Sequence, residues 1–499
     1  MKNQKRKKQR VLKCNKDDYI SKLPNDILCK ILSSLTVKEA VKTSVLSSKW
    51  KHLYANPINL TFDEVNMLKR DHFASNVWHY QSEVLRFIFK YNRTLAFVSN
   101  VNQYLSHVGQ VQKIDKLNVC FTFCHNGYNT TDLDQWIRLA IKGNVEEIDL
   151  CLMEEEHLSP PYDVYVFPCD VVGNEGGCAG AGASGFKSYL KHLRLAHCVL
   201  APHKHYNTGF STLTTMELFK VDLKSEEHIQ FLLSSCNNLE WLGLSKCYNM
   251  ENLRIEHPFC QKLKFLNVNF CQQLKALVLH SASLETLEYV GEKVEFSFDA
   301  PRLTTFYSRV SDSTACHREV WPVCRLPYDL PQLETLIMEC NCSMGEVMTR
   351  RLHTFTFPRL RHLEIIEVAR FRQDPWWVAK ILELCPILGR LELHLRSYFC
   401  IDEETRKSDG HPRCPHNHLK EVVITGFRGH SSEIEIAILL LRNGIALEKM
   451  TIDPRSKSYR GNGKWDHSEA CENWNREVRQ MVHKLLKQEA NSAVELLIK

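Results

Sequence analysis

The sequence predicts an α/β protein with a short all-α unit at the N-terminus, an irregular leucine-rich-repeat solenoid (horseshoe), and one further strand-helix-strand layer. Three patterns support this prediction. An apolar stripe with helical spacing covers residues 23–35, the phrase L-x-x-L-x-L recurs between about residues 145 and 395, and a strand-helix-strand pattern occupies residues 419–452. The 499 residues, of which 44% are hydrophobic, provide material for roughly two to four domains.

The first predicted element is a compact helical unit over residues 19–54. Pro24 lies at the first turn of its first helix, Thr36 and Glu39 form a capping box for a second, and Trp50 lies in a third. About 36 residues cannot bury this much apolar surface alone, so we expect part of it to contact a partner. The apolar stripe consists of Leu23, Ile27, Leu28, Ile31, Leu32 and Leu35.

This stretch closely resembles the F-box, in Leu23-Pro24, Asp26-Ile27-Leu28, Ile31-Leu32, Leu35, Ala40-Val41, Val45-Leu46-Ser47 and Lys49-Trp50. The resemblance implies an F-box over residues 17–62 that binds a Skp-type adaptor and, through it, cullin and RING subunits. The adaptor-binding residues that it implies are Leu23, Pro24, Ile27, Leu28, Ile31, Leu32, Leu35 and Trp50. The alternative is an ordinary three-helix cap on a larger domain.

Residues 63–110 are predicted to form a helical connection or cap. Val84, Leu85, Ile88 and Phe89 keep helical spacing, so this helix is expected to pack as the first layer of the solenoid.

Leucine-rich repeats are predicted over residues 111–405. Each x-L-x-L-x segment makes a short strand whose leucines point into the core, and stacking of neighbouring repeats buries them. Weaker copies start at Ile114, Val145, Leu213 and Leu303, and residues 172–185 should be a flexible glycine-rich insertion. The clearest copies are Leu190-Leu193-Leu195-Cys198, Leu239-Leu242-Leu244-Cys247, Leu263-Leu266-Val268-Cys271, Leu284-Leu287-Tyr289, Leu333-Leu336-Met338, Leu360-Leu363-Ile365 and Leu388-Leu391-Leu393.

The residues between the leucines face the predicted concave side and could bind a target protein, because they combine aromatic, amide and charged groups. A merely solvated wall is the alternative for any one of them, and Trp241 or Phe265 could instead pack beneath the insertion. Cys198, Cys247 and Cys271 are predicted to be structural. The target-binding candidates are Arg194, Trp241, Phe265, Asn267, Asn269, His362, Glu364, Arg390 and Glu392.

The C-terminal part begins with a polar linker at 406–418 and continues with strand, helix and strand. Residues 419–458 resemble the FBD domain in Leu419-Lys420, Val422, Gly426-Phe427-Arg428-Gly429, Glu433, Leu439 to Leu441, Asn443-Gly444 and Leu447-Glu448-Lys449-Met450. An F-box, irregular repeats and FBD together are characteristic of a plant protein family. Residues 466–499 are predicted to form an amphipathic helix that uses Trp474, Val478, Met481, Val482 and Leu485.

Charge is concentrated at the N-terminus. The net charge is +6, yet residues 1–16 carry eight Lys or Arg and no acid, so the remaining chain is nearly neutral and nucleic-acid binding is not expected of it. This basic tail could be a nuclear localisation signal, a nonspecific RNA contact or a solvated, disordered end. The residues of the candidate signal are Lys5, Arg6, Lys7, Lys8 and Arg10.

Composition places the protein in the nucleus, the cytoplasm or both. There is no uninterrupted apolar run of about 18 residues and no apolar signal-peptide core, so neither membrane insertion nor secretion is expected. The 20 cysteines lack a disulfide framework and are expected to be reduced.

No cofactor, metal or catalytic residue is predicted. The segment 180–188 lacks the Gly-Lys-Ser/Thr of a phosphate loop, and the ligands His411, Cys414, His416 and His418 lack a second paired half for structural zinc. Catalytic motifs such as G-x-S-x-G are also missing from the sequence.

The family resemblance therefore implies a non-catalytic receptor subunit of a Skp-cullin-F-box ubiquitin ligase, whose repeat and FBD region holds an unidentified target. The alternative is a Skp-bound scaffold or inhibitor whose partner is not degraded. A third, weaker possibility is nuclear RNA association through residues 1–16.

Overall fold

The computed structural model of the chain shows two compact units, Met1–Asp163 and Val164–Lys499. Several predicted features lie outside the described residues: Leu35, most of the segments predicted to form the second and third F-box helices, the basic tail and residues 173–187. The residues described are 19–20, 22–33, 42–43, 49–50, 59–68, 83–107, 113–123, 130–153, 164–172, 188–202, 209–310, 325–340, 356–367, 376–395, 413–470 and 474–499.

The first unit contains helices and a short parallel sheet. Strands β1 and β2 pair in parallel, as do β2 and β3. The helices are α1 (Asn25–Ser33), α2 (Glu64–Met67), α3 (Glu83–His107) and α4 (Thr130–Lys142), and the strands are β1 (Asn59–Asp63), β2 (Lys116–Cys120) and β3 (Glu147–Cys151). The weak repeat frames at Ile114 and Val145 therefore do mark strands.

Helix α3 forms where the sequence predicts a helix, but it packs through a different part of its length. Val84, Leu85 and Ile88 are exposed, whereas Phe97 and Val101 are fully buried. The prediction that the N-terminal residues of this helix pack is therefore wrong. Phe97 packs in an aromatic cluster with Phe121 and Trp136, and burial of these large rings explains why this part of the helix packs.

The second unit is dominated by a long parallel sheet, which confirms the predicted fold class. Its strand order is β4-β5-β6-β8-β10-β12-β13-β14-β15-β16-β17-β20. These strands are β4 (His192–Ala196), β5 (Thr215–Phe219), β6 (Trp241–Ser245), β8 (Phe265–Asn269), β10 (Thr286–Gly291), β12 (Thr305–Val310), β13 (Thr335–Cys340), β14 (His362–Glu367), β15 (Arg390–Leu395), β16 (Glu421–Thr425), β17 (Lys449–Asp453) and β20 (Glu495–Ile498).

The strands stack without a shift in register, so the second residue of each strand from β4 to β17 joins one buried apolar row. Each such side chain contributes about 1.5–3 kcal/mol through burial. The first, third and fifth residues point to the opposite side, which we call the polar face. The buried row consists of Leu193, Met216, Leu242, Leu266, Leu287, Phe306, Leu336, Leu363, Leu391, Val422 and Met450.

Three consecutive repeats return through a second strand rather than a helix. Strands β7 (Asn252–Glu256), β9 (Ala276–His280) and β11 (Glu295–Asp299) form a parallel three-stranded sheet. A strand needs fewer residues than a helix and its turns, which explains the short repeat spacing here.

The recurring cysteines are structural, as predicted. Cys198, Cys247 and Cys271 are buried free thiols. The Sγ of Cys247 donates to the carbonyl of Leu218 at 3.6 Å, and the Sγ of Cys271 donates to that of Leu244 at 3.7 Å. Each thiol thus satisfies a backbone group of the preceding strand.

Elsewhere in the described part of the second unit, helices precede or connect several of the strands. They are α5 (Cys169–Val172), α6 (Glu226–Ser235), α7 (Leu326–Asp329), α8 (Trp376–Leu384), α9 (Ser431–Asn443) and α10 (Arg476–Glu489). The strand-helix-strand layer predicted for the FBD segment is present as β16, α9 and β17. Glu433 fixes the loop before α9, because its Oε2 accepts hydrogen bonds from the backbone N–H groups of residues 428–430 at 2.8–3.1 Å.

The prediction of one helix over 466–499 is wrong at both ends. Among the described residues of this stretch, Arg476–Glu489 is helical, Glu495–Ile498 pairs with β17, and residues 464–470 form a strand. Val482 and Leu486 of α10 are buried, whereas Met481 and Leu485 are exposed, so the packed face differs from the predicted one. The described residues contain no helix long and apolar enough to cross a membrane.

Candidate functional site

The predicted adaptor-binding stripe on α1 divides into a buried and an exposed set. Leu28, Leu32 and Trp50 form a small core with Leu23 packed against it. Ile27 and Ile31 are 43% and 37% exposed. These two residues are four positions apart and lie on one face of the helix, so they remain available to a partner.

Local contacts set the start of this helix. Pro24 is exposed, and its carbonyl accepts hydrogen bonds from the N–H groups of Ile27 and Leu28 at 3.1 and 3.2 Å. The Nζ of Lys49 donates to the Leu23 carbonyl at 2.8 Å. Lys49 thereby ties the third F-box segment to the chain just before α1.

On the polar face, Trp241 and Phe265 form a stacked aromatic pair. Their ring centroids are 5.7 Å apart with an angle of 6° between the planes, because Trp241 of β6 lies in register with Phe265 of β8. The Trp241 ring lies over Gly243, where a Cβ atom would come within 2.5 Å of its Cη2. Both side chains are half-buried. Glycine at 243 therefore permits the stack.

Arg194 and Asn269 flank this pair along the sheet. Arg194 is exposed, and its Nε lies 3.6 Å from a carboxylate oxygen of Glu217 on β5. Asn269 is half-buried, and its Oδ1 is buried without a hydrogen-bond partner among the described residues.

A C-terminal β-hairpin, which was not predicted from the sequence, covers the next part of the polar face. Strands β18 (Arg455–Gly461) and β19 (Lys464–Ala470) pair in antiparallel fashion around a two-residue turn, Asn462-Gly463. Both turn residues have positive φ, 54° and 69°, as a type I′ turn requires. The Asn-Gly pair was the sequence signal that could have revealed this hairpin.

The tip of the hairpin contacts Asn267 and Glu288. The Nδ2 of Asn267 donates to Glu288 Oε2 at 2.6 Å and to Asn462 Oδ1 at 3.2 Å. Glu288 also accepts hydrogen bonds from the Asn462 backbone N–H at 2.8 Å and from the Tyr459 hydroxyl. Burial and this contact with Glu288 raise the pKa of Tyr459.

Aromatic rings form the middle of the contact. The Tyr459 ring centroid lies 4.3 Å from that of Tyr307 and 4.9 Å from that of Trp465. Tyr459 and Trp465 pack on a small apolar cluster of Tyr307, Ile337 and Ile366 on strands β12 to β14. This cluster lies on the polar side of the sheet, separate from the leucine row.

The other predicted residues meet beneath the first strand of the hairpin. Glu364 and Glu392, in register on β14 and β15, are only 6% and 4% exposed. Lys457 Nζ lies 3.2 Å from Glu392 and 3.8 Å from Glu364, and Arg390 Nε donates to Glu392 at 2.8 Å. Two carboxylates about 5 Å apart repel by about 3 kcal/mol at an effective dielectric constant of 20, so these cations are needed.

Two imidazoles complete this cluster. His362 Nε2 lies 3.3 Å from Glu392 and 3.4 Å from Glu364, and the fully buried His394 lies 3.2 Å from Glu364 through Nε2. Burial by itself would raise the pKa of Glu392. The neighbouring His362, Lys457 and Arg390 outweigh burial and hold this pKa well below its ordinary value.

The same cluster contains a possible metal-ligand set. The ligand atoms of His362, Glu364 and Glu392 lie within 4.8 Å of one another, which suits a divalent cation. However, Lys457 and Arg390 already balance the two carboxylates, and a cation would have to displace at least one of them. The arrangement is that of an ion-pair network.

Two residues of the zinc-type motif at 411–418 make local contacts instead. His416 is buried, bonds through Nε2 to the Cys385 carbonyl at 2.9 Å, and accepts from the Leu419 N–H at Nδ1. The Sγ of Cys414 donates instead to Glu383 at 3.3 Å. His411 lies outside the described residues.

The structure therefore divides the predicted target-binding residues. Arg194, Trp241, Phe265 and Asn269 lie on or beside the first strands of the sheet. Asn267, Glu364, Arg390 and Glu392, with His362, belong to the region that the hairpin contacts. Asn267, Glu364 and Glu392 are buried and contact the chain's own hairpin, so they do not form an open surface in this structure, and their role in target binding stays a prediction.

Comparisons with known proteins agree with this architecture. A family model described as the At1g61320/AtMIF1 LRR domain matches residues 105–497, and the F-box domain model matches residues 20–57.

Among Arabidopsis thaliana relatives, F-box/FBD/LRR-repeat protein At1g13570 is 29% identical over 46% of this chain and 44% of its own length. F-box/LRR-repeat protein At3g59210 is 30% identical over 32% of this chain and 28% of its own length. These two alignments span less than half of either relative. At3g49030, also described as an F-box/FBD/LRR-repeat protein, is 24% identical over 88% of both chains.

Proposed function

Because the chain belongs to the family of F-box proteins with an LRR domain of the At1g61320/AtMIF1 type, we propose that it is the substrate-recognition subunit of a Skp-cullin-F-box ubiquitin ligase. The observation that carries this proposal is the presence, in one chain, of an F-box segment and a long parallel repeat sheet with its own polar face. The first would bind the adaptor and the second the target.

The exposed face of α1 supports the adaptor half of the proposal. Ile27 and Ile31 present apolar side chains that the small core of Leu28, Leu32 and Trp50 leaves outside. Burying two such side chains in a partner would contribute about 1.5–3 kcal/mol each. The buried residues Leu28, Leu32 and Trp50 hold the helix in position, so substitutions of these residues would weaken adaptor binding indirectly.

The stacked pair Trp241 and Phe265 supports the target half. Aromatic side chains held rigidly at a surface are frequent binding hot spots. Arg194 adds a positive charge two strands away from Trp241. A target with an apolar anchor and a nearby acidic group would match this surface.

The role of the chain would be positional. Holding a target lysine close to the conjugating enzyme raises its effective concentration, while partner subunits carry out ubiquitin transfer.

Affinity capture with the proteasome blocked tests this proposal. The tagged chain is compared with an Ile27→Asp/Ile31→Asp variant, and Ile445→Asp, an exposed residue of the second unit, serves as the matched control. We expect the wild type and the control to capture the adaptor together with a partner that accumulates ubiquitin, and the double variant to lose both the adaptor and the ubiquitin signal. A partner that stays unmodified with the wild type would overturn the ligase assignment in favour of a non-degradative scaffold.

A further inference from the structure

The groove beneath the hairpin has the composition of a binding site. It is formed by third-position residues of consecutive strands, which the register places side by side. Its floor has an amide and a carboxylate at one end, two carboxylates at the other end, and aromatic or aliphatic side chains in the middle. We call it the carboxylate groove, and it consists of Asn267, Glu288, Tyr307, Ile337, Glu364 and Glu392.

The hairpin matches this groove as a ligand would. Lys457 and Tyr459 are two positions apart on β18 and therefore point to the same side. The Nζ of Lys457 lies 3.2 Å from Glu392 and 4.0 Å from the centroid of the Trp465 ring. Tyr459 contacts Glu288 through its hydroxyl, and its ring packs against that of Tyr307 at an angle of 44°. A basic residue and an aromatic residue at i and i+2 thus meet the carboxylates at the two ends and the apolar middle.

The hairpin is also separable from the core. The buried leucine row lies on the opposite side of the sheet, and most outward residues of the hairpin are exposed. β18 follows β17 after one residue, and Arg455 is fixed to Asp453 by a two-point ion pair with distances of 3.0 and 2.8 Å. Opening of the hairpin about this anchored end would leave the leucine row buried.

We propose that the carboxylate groove is a second target-binding site for a β-strand segment with a Lys/Arg-x-Tyr/Trp pattern, and that residues 455–470 occupy it as an internal pseudo-ligand. A target segment of this chemistry would displace the hairpin and form the same contacts with Glu288 and Glu392. The identity of the competitor as a ligase target rests on the proposed function. The existence of the groove, the chemistry of its ligand and the displacement of the hairpin do not depend on the proposed function.

The first test is hydrogen exchange on the full wild-type chain. Amides of β18 and β19 should exchange at least about 100-fold faster than those of the buried strands β6 to β16, because the hairpin opens locally. Hairpin amides that are protected as strongly as the buried strands would show that the hairpin opens only on global unfolding, and this would overturn the proposal.

The second test measures the groove directly, without adaptor or ubiquitin enzymes. The probe is a fluorescein-labelled synthetic peptide of residues 455–470, and the receptor is the full chain with residues 456–469 replaced by a Gly-Ser linker. We expect saturable binding at least about 10-fold tighter than to the wild type, lost when Lys457 and Tyr459 of the peptide are replaced by Glu and Ala. Equal affinity for both peptides by a receptor with a cooperative melting transition would overturn the proposal.

A third test uses the intact chain, so that it does not depend on correct folding of the Gly-Ser variant. Glu288→Gln/Glu392→Gln in the intact chain keeps the hairpin and should raise its exchange rate at least about 10-fold, with unchanged exchange in β6. An unchanged hairpin rate would contradict the proposal. Failure of the ubiquitin experiment together with success of these tests would refute the ligase role and leave the groove assignment intact.

Discussion

Replacing Lys457 by methionine tests the electrostatic fit of the hairpin most sharply. The ammonium group lies 3.2 Å from Glu392 and 3.8 Å from Glu364, and both carboxylates are buried. A charge-assisted hydrogen bond to a buried group contributes about 1.5–3 kcal/mol. Arg390 and the two imidazoles remain in the variant, so we expect the free energy that favours the closed hairpin over the open one to fall by about 2 kcal/mol.

This loss converts to a measurable change in the equilibrium constant for opening of the hairpin. At 1.36 kcal/mol per factor of ten, about 2 kcal/mol raises this constant roughly 30-fold. Hydrogen exchange of the β18 and β19 amides measures that ratio directly. Lys464→Met is the matched control, because Lys464 is an exposed lysine of the same hairpin and should change the rate less than about 2-fold.

The pH dependence of hairpin stability provides a second test of the Lys457–Glu392 interaction. The pKa of Glu392 is lowered, so its stabilising contribution is complete above its ordinary value of 4.5 and is lost as the pH falls below it. In the Lys457→Met variant, the stability of the closed hairpin should fall less steeply as the pH is lowered. An effect of Lys457→Met equal to that of Lys464→Met, or one that persists undiminished in a Glu392→Gln background, would refute the reasoning.

Four further predictions concern other parts of the chain. Trp241→Ala and Phe265→Ala should each lower target capture with little loss of thermal stability, as measured by pull-down and melting. Gly243→Val, whose side chain meets the Trp241 ring, should cost about 1–3 kcal/mol in urea unfolding, and Gly243→Ala less. Glu433→Gln should cost about 1–3 kcal/mol in the same assay, because a neutral amide replaces a carboxylate that accepts three N–H groups. Deleting residues 2–16 should lower the nuclear fraction of a tagged protein by imaging without changing its melting temperature, and an unchanged distribution would leave the solvated-tail or minor nucleic-acid interpretation.

The sequence predicted the repeat sheet well because burial of alternating leucines depends on local period-two patterning. Even weak frames at Leu213 and Leu303 correspond to strands, β5 and β12. The return strands such as β7 were missed, since their short alternation resembles the loops expected between repeats.

The hairpin could not be placed from the sequence, although its Asn462-Gly463 turn was visible. Its position depends on Tyr459 meeting Glu288, which is 171 residues earlier in the chain, and on Lys457 meeting Glu392. Such long-range polar pairs leave no periodic signal. For the same reason, Asn267, which carries no local pattern of burial, was predicted to be open although it is covered.

The most direct test of the receptor assignment is the affinity of the purified chain for a purified Skp adaptor, measured by biolayer interferometry. We predict saturable one-to-one binding that Ile27→Asp/Ile31→Asp weakens at least about 100-fold while Ile445→Asp leaves it unchanged, because only the first pair lies on the exposed face of α1. Melting curves confirm that all three proteins are folded. Binding that survives undiminished in the folded double variant, or that is not detected for the wild type, would contradict the account.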